Sequence, residues 1–268
     1  MKKICLLIVF LFSSNATFAC QCPNEWASTN NRYATSDYVG KVEITKIFPS
    51  ESKTDRYYRA NVKAIETFKG KVPEFLKIYG NHGFKDGIIF GCSRGVQKGE
   101  TWLIYTSKDS TGQYNFSSCT FPERLRNTDG SKVELSENEK RDLQQLVFLR
   151  ETVPKLNRNF MINEDSNQMR KYLDKYEDKK FDKPSAQYLV TFNKDMQITK
   201  VEILRGFSSS FDKNFINFLK TKTKWYAGDM GIIRKARKYN LENSTKHVIG
   251  VYYYEDENKS FLSPLDLP

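Results

Sequence analysis

The chain has 268 residues, 43 of them basic and 32 acidic, for a formal charge of +11, or +9 once Lys2 and Lys3 are gone. That length suits two domains at roughly 100 to 200 residues each, and the charge suits attraction to an anionic envelope surface. The densest cationic run, Arg234-Lys235-Ala236-Arg237-Lys238, is short and holds no aromatic residue, which argues against nucleic acid as a partner.

In chain order, Lys2 and Lys3 precede an apolar run from Ile4 to Phe12, broken by Ser13-Ser14-Asn15 and followed by Thr17-Phe18-Ala19. This predicts a signal peptide over residues 1–19, cleaved before Cys20. The run is well short of the roughly 20 residues that span a bilayer, and no later stretch reads as a transmembrane segment of the mature chain. The expected location is exported, periplasmic or secreted. An outer-membrane lipoprotein acylated on Cys20 is the alternative. Downstream of the leader stand Cys20, Cys22, Cys92 and Cys119. In an oxidising compartment four thiols read as two disulfides, and the sequence alone leaves three pairings open.

Residues 20–152 are rich in short β-patterned runs: Tyr38 to Ile44, Tyr57 to Phe68, Phe75 to Tyr79 and Thr101 to Thr106. Seven glycines from Gly70 to Gly99 punctuate the turns. Strands without intervening helices predict a small closed barrel. Ser136-Glu-Asn-Glu139 has the spacing of a capping box, and Leu143, Leu146, Val147 and Arg150 follow at helical intervals, so a helix over about 136–152 packs on the barrel. Residues 153–184 read as a charged linker containing a helix, with Met169, Tyr172, Leu173 and Tyr176 on one face. Residues 185–268 begin with two strands around a turn at Lys194-Asp195. A helix follows from Phe211-Asp212, with Phe215, Phe218 and Leu219 on one face, and a last strand runs from Val248 to Tyr254. The fold class expected is mainly β with an α+β second part.

No enzyme is expected. His82 sits in a Gly-Asn-His-Gly turn and His247 at the head of a strand, one in each half, and neither has a second ligand or triad partner at motif spacing. No phosphate loop, His-Glu-x-x-His or Gly-x-Ser-x-Gly occurs. No cofactor and no metal site is expected.

Cys20-x-Cys22, Tyr38-Val-Gly-Lys-Val, Phe68-Lys-Gly70, Cys92, Gly99-Glu-Thr-Trp-Leu-Ile-Tyr and Ser118-Cys119-Thr120 together resemble the netrin-like module. More narrowly they resemble bacterial relatives of the tissue inhibitors of metalloproteinases. The resemblance implies an oligonucleotide/oligosaccharide-binding (OB-fold) barrel with bridges Cys20–Cys92 and Cys22–Cys119; the third disulfide of animal members has no counterpart. Such bridges close loops of 72 and 97 residues, worth about 4 to 5 kcal/mol each at most. The resemblance also implies a protein-binding edge at Cys20, Gln21, Cys22 and Pro23. In the related inhibitors the first cysteine's amine and carbonyl chelate a protease's zinc, and the next side chain enters its specificity pocket. A zinc metalloprotease is thus the implied partner. A structural or assembly protein of the envelope, docking without inhibition, is the alternative function.

The Phe192-Asn-Lys-Asp turn, Val201 to Arg205, Phe211-Asp212, Trp225-x-x-Gly228 and the closing strand resemble the C-terminal domain of TonB-like proteins over about residues 185–255. Met196 stands near a customary glycine, and the stretch after Gly228 is longer than usual. Membrane anchor and proline-rich span are missing, so energy transduction is not implied. The resemblance implies a small α+β envelope domain that binds a peptide strand or serves stability or dimerisation.

Overall fold

The computed structural model describes residues 28–84, 91–120, 122–157, 159–165, 168–228, 244–255 and 259–264. The expected signal peptide and the expected binding edge at Cys20, Gln21, Cys22 and Pro23 lie outside the described residues. The protein is mainly β, with a curled sheet plus helices. Among the described residues, no helix is long and apolar enough to cross a membrane.

The first half opens with a short helix, α1 (Thr29–Thr35), whose N-cap Ser28 accepts from Asn31 N. Strands β1 (Tyr38–Phe48), β2 (Tyr57–Lys69), β3 (Phe75–Tyr79), β4 (Thr101–Thr106), β5 (Asn115–Phe116) and β6 (Glu123–Arg126) follow, hydrogen-bonded in the order β5-β3-β2-β1-β4-β6. All pairs are antiparallel except β3–β5. The β1–β2 ladder is interrupted at Val39/Gly40, Lys41/Val42 and Ile44/Lys46. Each such irregularity bends and twists the strands, and together they roll the sheet until β5 reaches the end of β4: Thr106 Oγ1 donates to Asn115 O and Asn115 N to Ser107 O. Gly40 permits this curl, because a Cβ there would strike the Tyr38 hydroxyl and the Glu66 carbonyl. The sheet curls without closing among the described residues: β5 and β6 remain its edges.

The concave side is filled by Val42, Ile44, Tyr58, Ala60, Leu76, Ile78, Trp102, Ile104 and Phe116. The convex side carries Val39, Phe68, Leu103 and Tyr105, covered by α1 and by α2 (Glu137–Thr152). Every residue of β4 is therefore buried, since both of its faces are covered. Ser136 and Glu139 make both halves of the capping box that their spacing predicts.

The second half contains β7 (Met161–Asp165), α3 (Gln168–Leu173), β8 (Ser185–Phe192), β9 (Ile198–Arg205), α4 (Ser209–Lys222), β10 (Lys224–Gly228), β11 (Thr245–Glu255) and β12 (Ser260–Ser263). Its main sheet has the order β12-β11-β8-β9, all antiparallel, and β10 pairs with β7 in a separate ribbon. The strand–strand–helix–strand order is the one read from the sequence, with β7, β10 and β12 added. Residues 153–184 are more than a spacer: Phe160, Ile162, Met169 and Leu173 all enter the second core. The β8–β9 turn is held by Asn193, whose Oδ1 accepts from Asp195 N at 3.0 Å and Gln197 N at 2.9 Å. Met196 occupies it at φ 58°, a left-handed conformation that glycine adopts more easily.

Helix α4 lays Phe211, Phe215, Phe218 and Leu219 on one face of the main sheet. The opposite face, through Leu189 and Val248, packs on α1, α2 and the convex side of the curled sheet. The layers run α4, second sheet, α1 with α2, first sheet.

Candidate functional site

Two places combine fixed geometry with unusual chemistry: the disulfide corner of the curled sheet and the seam between the halves.

At the corner, Cys92 and Cys119 are both disulfide-bonded. Their backbones adjoin, because Ser118 N donates to Cys92 O at 3.2 Å and Ser118 Oγ to Ser93 O at 3.3 Å. Cys119 lies in a single 3-10 turn, Ser118–Thr120, where its N–H donates to Ser117 Oγ. The floor beneath is rigid. Tyr58 Oη donates to Arg94 O and accepts from Val96 N, both at 3.1 Å, and burial pushes its pKa up to about 12. Trp102 meets Phe116 edge-on and has two guanidiniums near its ring, Arg94 at 5.1 Å and Arg124 at 6.0 Å from the ring centre. The buried Glu100 carboxylate accepts from Trp102 Nε1, Gln97 N and Arg124. The expected bridges Cys20–Cys92 and Cys22–Cys119 each have one end outside the described residues. Two cysteines this close are a suitable anchorage for partners separated by a single residue.

The seam is organised by α1. Its sequence, Thr-Asn-Asn-Arg-Tyr-Ala-Thr, is polar, yet Thr29, Asn30, Asn31, Tyr33, Ala34 and Thr35 are buried. Buried amides need partners, and these find them across the seam. Gln145 Nε2, on α2, donates to Asn30 Oδ1 at 2.8 Å and to Gln187 Oε1, on β8, at 3.1 Å. Asn30 Nδ2 donates to Val248 O on β11 at 3.2 Å. Asn31 acts as an extra strand residue for β7, donating to Ile162 O at 3.2 Å and accepting from Ile162 N at 3.4 Å.

One turn further, the Arg32 guanidinium donates to Asp142 at 2.7 Å, sits 3.7 Å from Glu123 and covers the Tyr105 ring. Thr29 donates to the other Asp142 oxygen. Burial lowers the Arg32 pKa, but Tyr105, Asp142 and Glu123 outweigh it and hold the group above its ordinary value. Glu123 goes the other way. Burial first, then the Asp142 charge, push its carboxyl up to about 7 against the pull of Arg32.

A cleft of about 650 Å³ opens at one end of the seam. Val153, Leu156, Phe160 and Leu189 form its apolar floor, and Lys155, Asn157, Asn159 and Lys246 its polar rim. It is built from three separated stretches of chain, so no local motif announced it. The two histidines do not meet: His82 stacks on Tyr58 in the first half, and His247 is buried on β11 near Trp225. Among the described residues no group of three or more histidine, cysteine, aspartate or glutamate side chains could hold a metal ion.

No family model matches the chain, and no curated protein is similar to it.

Proposed function

We propose that the protein is an exported, non-enzymatic protein-binding module of the bacterial envelope, whose disulfide-stapled N-terminus is its contact element. The single observation that carries this reading is the pair of disulfide-bonded cysteines, Cys92 and Cys119, lying side by side on a rigid corner. A chain end ordinarily frays. Cys20 and Cys22, fastened there, hold the intervening Gln21 and the following Pro23 in one orientation. In the finer reading, the first half is a netrin-like OB-fold barrel and the second a TonB-like domain. A zinc metalloprotease is then the partner, with the Cys20 amine and carbonyl as ligands in the open position of its metal.

Intact mass before and after reduction tests the first part, and a panel of zinc proteases the second. The expected mass is that of the chain from Cys20 with two disulfides. An added acyl group sinks the inhibitor mechanism, because the amine it needs is then blocked or displaced. If the native protein inhibits, one alanine placed before Cys20 should abolish inhibition while both bridges still form. Equal inhibition by the extended form overturns the mechanism.

The seam favours the second reading, a structural or assembly protein. Side-chain amides shared between α1, α2, β7, β8 and β11 lock the halves together, as suits a protein that fixes the spacing of two docked partners. An unreactive native protein in the protease panel would leave this reading standing.

A further inference from the structure

Among the described residues, strand β9 is an edge of the second sheet, hydrogen-bonded only to β8. Native edges are usually blunted by proline, charged side chains, β-bulges or a covering element. The central stretch of β9 has no proline and no described element pairing its outer edge, and its two charges, Lys200 and Glu202, are of opposite sign. Between its two register shifts, Lys200, Val201, Glu202 and Ile203 run regularly opposite Thr191 to Tyr188. Ile203 is 49% exposed although it belongs to a strand. Lys200 and Glu202 protrude on one face and pair with each other at 3.0 Å.

We propose that β9 is a self-pairing edge, through which two copies of this chain join their four-stranded sheets into one continuous antiparallel sheet about a two-fold axis at Val201. The charge pattern selects both the partner and the register. Two identical antiparallel strands related by a two-fold axis must be centred on a residue, because only then do groups of the same hydrogen-bonding parity face each other. Centred on Val201, Lys200 of each copy stands opposite Glu202 of the other, giving two attractive cross-strand pairs. Centred on Lys200 or on Glu202, like charges stand directly opposite, which is unfavourable. In the Val201 register Ile203 faces Thr199 of the second copy, on the other side of the sheet from the charges, and loses its exposure. The interface is isologous, as a closed dimer requires, and it leaves the disulfide corner unused. It therefore stands or falls separately from the function proposed above.

The test is sedimentation equilibrium of the whole protein at low ionic strength, over a wide concentration range, with three variants. The protein is expected to dimerise reversibly. Lys200→Glu and Glu202→Lys should each weaken the dimer about tenfold, since each converts both cross-strand pairs to like charges. The double swap, Lys200→Glu with Glu202→Lys, should restore the association, because opposite charges again face each other. These side chains are exposed, so unfolding midpoints should match across all four proteins at a concentration low enough that all are monomeric, and that comparison separates a lost interface from a lost fold. A protein monomeric throughout the range overturns the proposal. So does a dimer that the single reversals leave unchanged, or one that the double swap fails to restore.

Discussion

The two halves solve the same packing problem with different materials. The concave core of the curled sheet is mostly aliphatic, with Trp102 and Phe116 at one end, and its nearby corner carries two disulfide-bonded cysteines, Cys92 and Cys119. The second core is aromatic. Phe211, Phe215 and Phe218 on α4 make ring contacts with Tyr172, Tyr176 and Tyr188, and no cysteine occurs after Cys119. A tightly rolled sheet has a narrow interior and little area to bury, so bridges that restrict the unfolded chain are effective there. A sheet covered by a helix of phenylalanines gains its stability from area and ring contact.

The largest test of this contrast is Phe215→Ala. The side chain is fully buried and lies 5.0 Å from Tyr188 and 5.5 Å from Phe211 between ring centres. Its loss should cost about 3 to 5 kcal/mol in denaturant unfolding, with the same penalty in reducing buffer. A penalty that vanished on reduction would mean that the two cores are not distinct. Next comes removal of the bridges by Cys92→Ala with Cys119→Ala, expected to cost about 2 to 5 kcal/mol. Hydrogen exchange should show faster opening of β1 to β4, and the amides of β8, paired with β9 and β11, should change least. Uniform acceleration of both sheets would contradict the division.

Smaller effects probe the seam that joins the halves. Asn31→Ala leaves Ile162 N–H and C=O without their side-chain partner, at about 1 to 3 kcal/mol. Exchange at β7 should rise before exchange in either core. The smallest expected effect has a pH signature. Glu123 binds its proton more tightly in the folded protein, near pH 7, than at its ordinary value of 4.5. A raised carboxyl makes stability fall as pH rises between those values, because the folded state then holds more protons than the unfolded one. Glu123→Gln should flatten that slope and be more stable than wild type above pH 7 by about 1 to 2 kcal/mol. A variant equally unstable at pH 8 would show that the attraction between Arg32 and Glu123 outweighs the desolvation of the carboxylate.

What the sequence displayed and what it concealed follow from the range of the interactions. The α2 cap is local: Ser136 and Glu139 are three residues apart, and both capping bonds form. β3 and β4 match their patterned runs residue for residue, and the face of α4 follows its phenylalanines. Helix α1 was invisible because Asn and Thr are poor helix formers that favour turns and surfaces. Its burial depends on partners more than 100 residues away. β7 and β10 were missed together, since each is a strand only by virtue of the other. The closed barrel expected from short strands without intervening helices is, among the described residues, a curled sheet with β5 and β6 as its edges. Cys92 and Cys119 stand out in the sequence as the two thiols beyond Cys22; that their backbones adjoin depends on the turn at Ser118. The cleft, assembled from residues around 153–160, 189 and 246, has no sequence signature at all.

The polar helix at the seam also sets a clock. Asn30 meets the carbonyl of Val248, 218 residues downstream, so an emerging chain cannot seat α1 until β11 has been made. Contacts of such separation form late. During that interval α1 lacks the distant partners that bury it in the finished fold. A chain stopped before Thr245 is held in that interval, and trypsin should then cut after Arg32, a bond the complete protein shields.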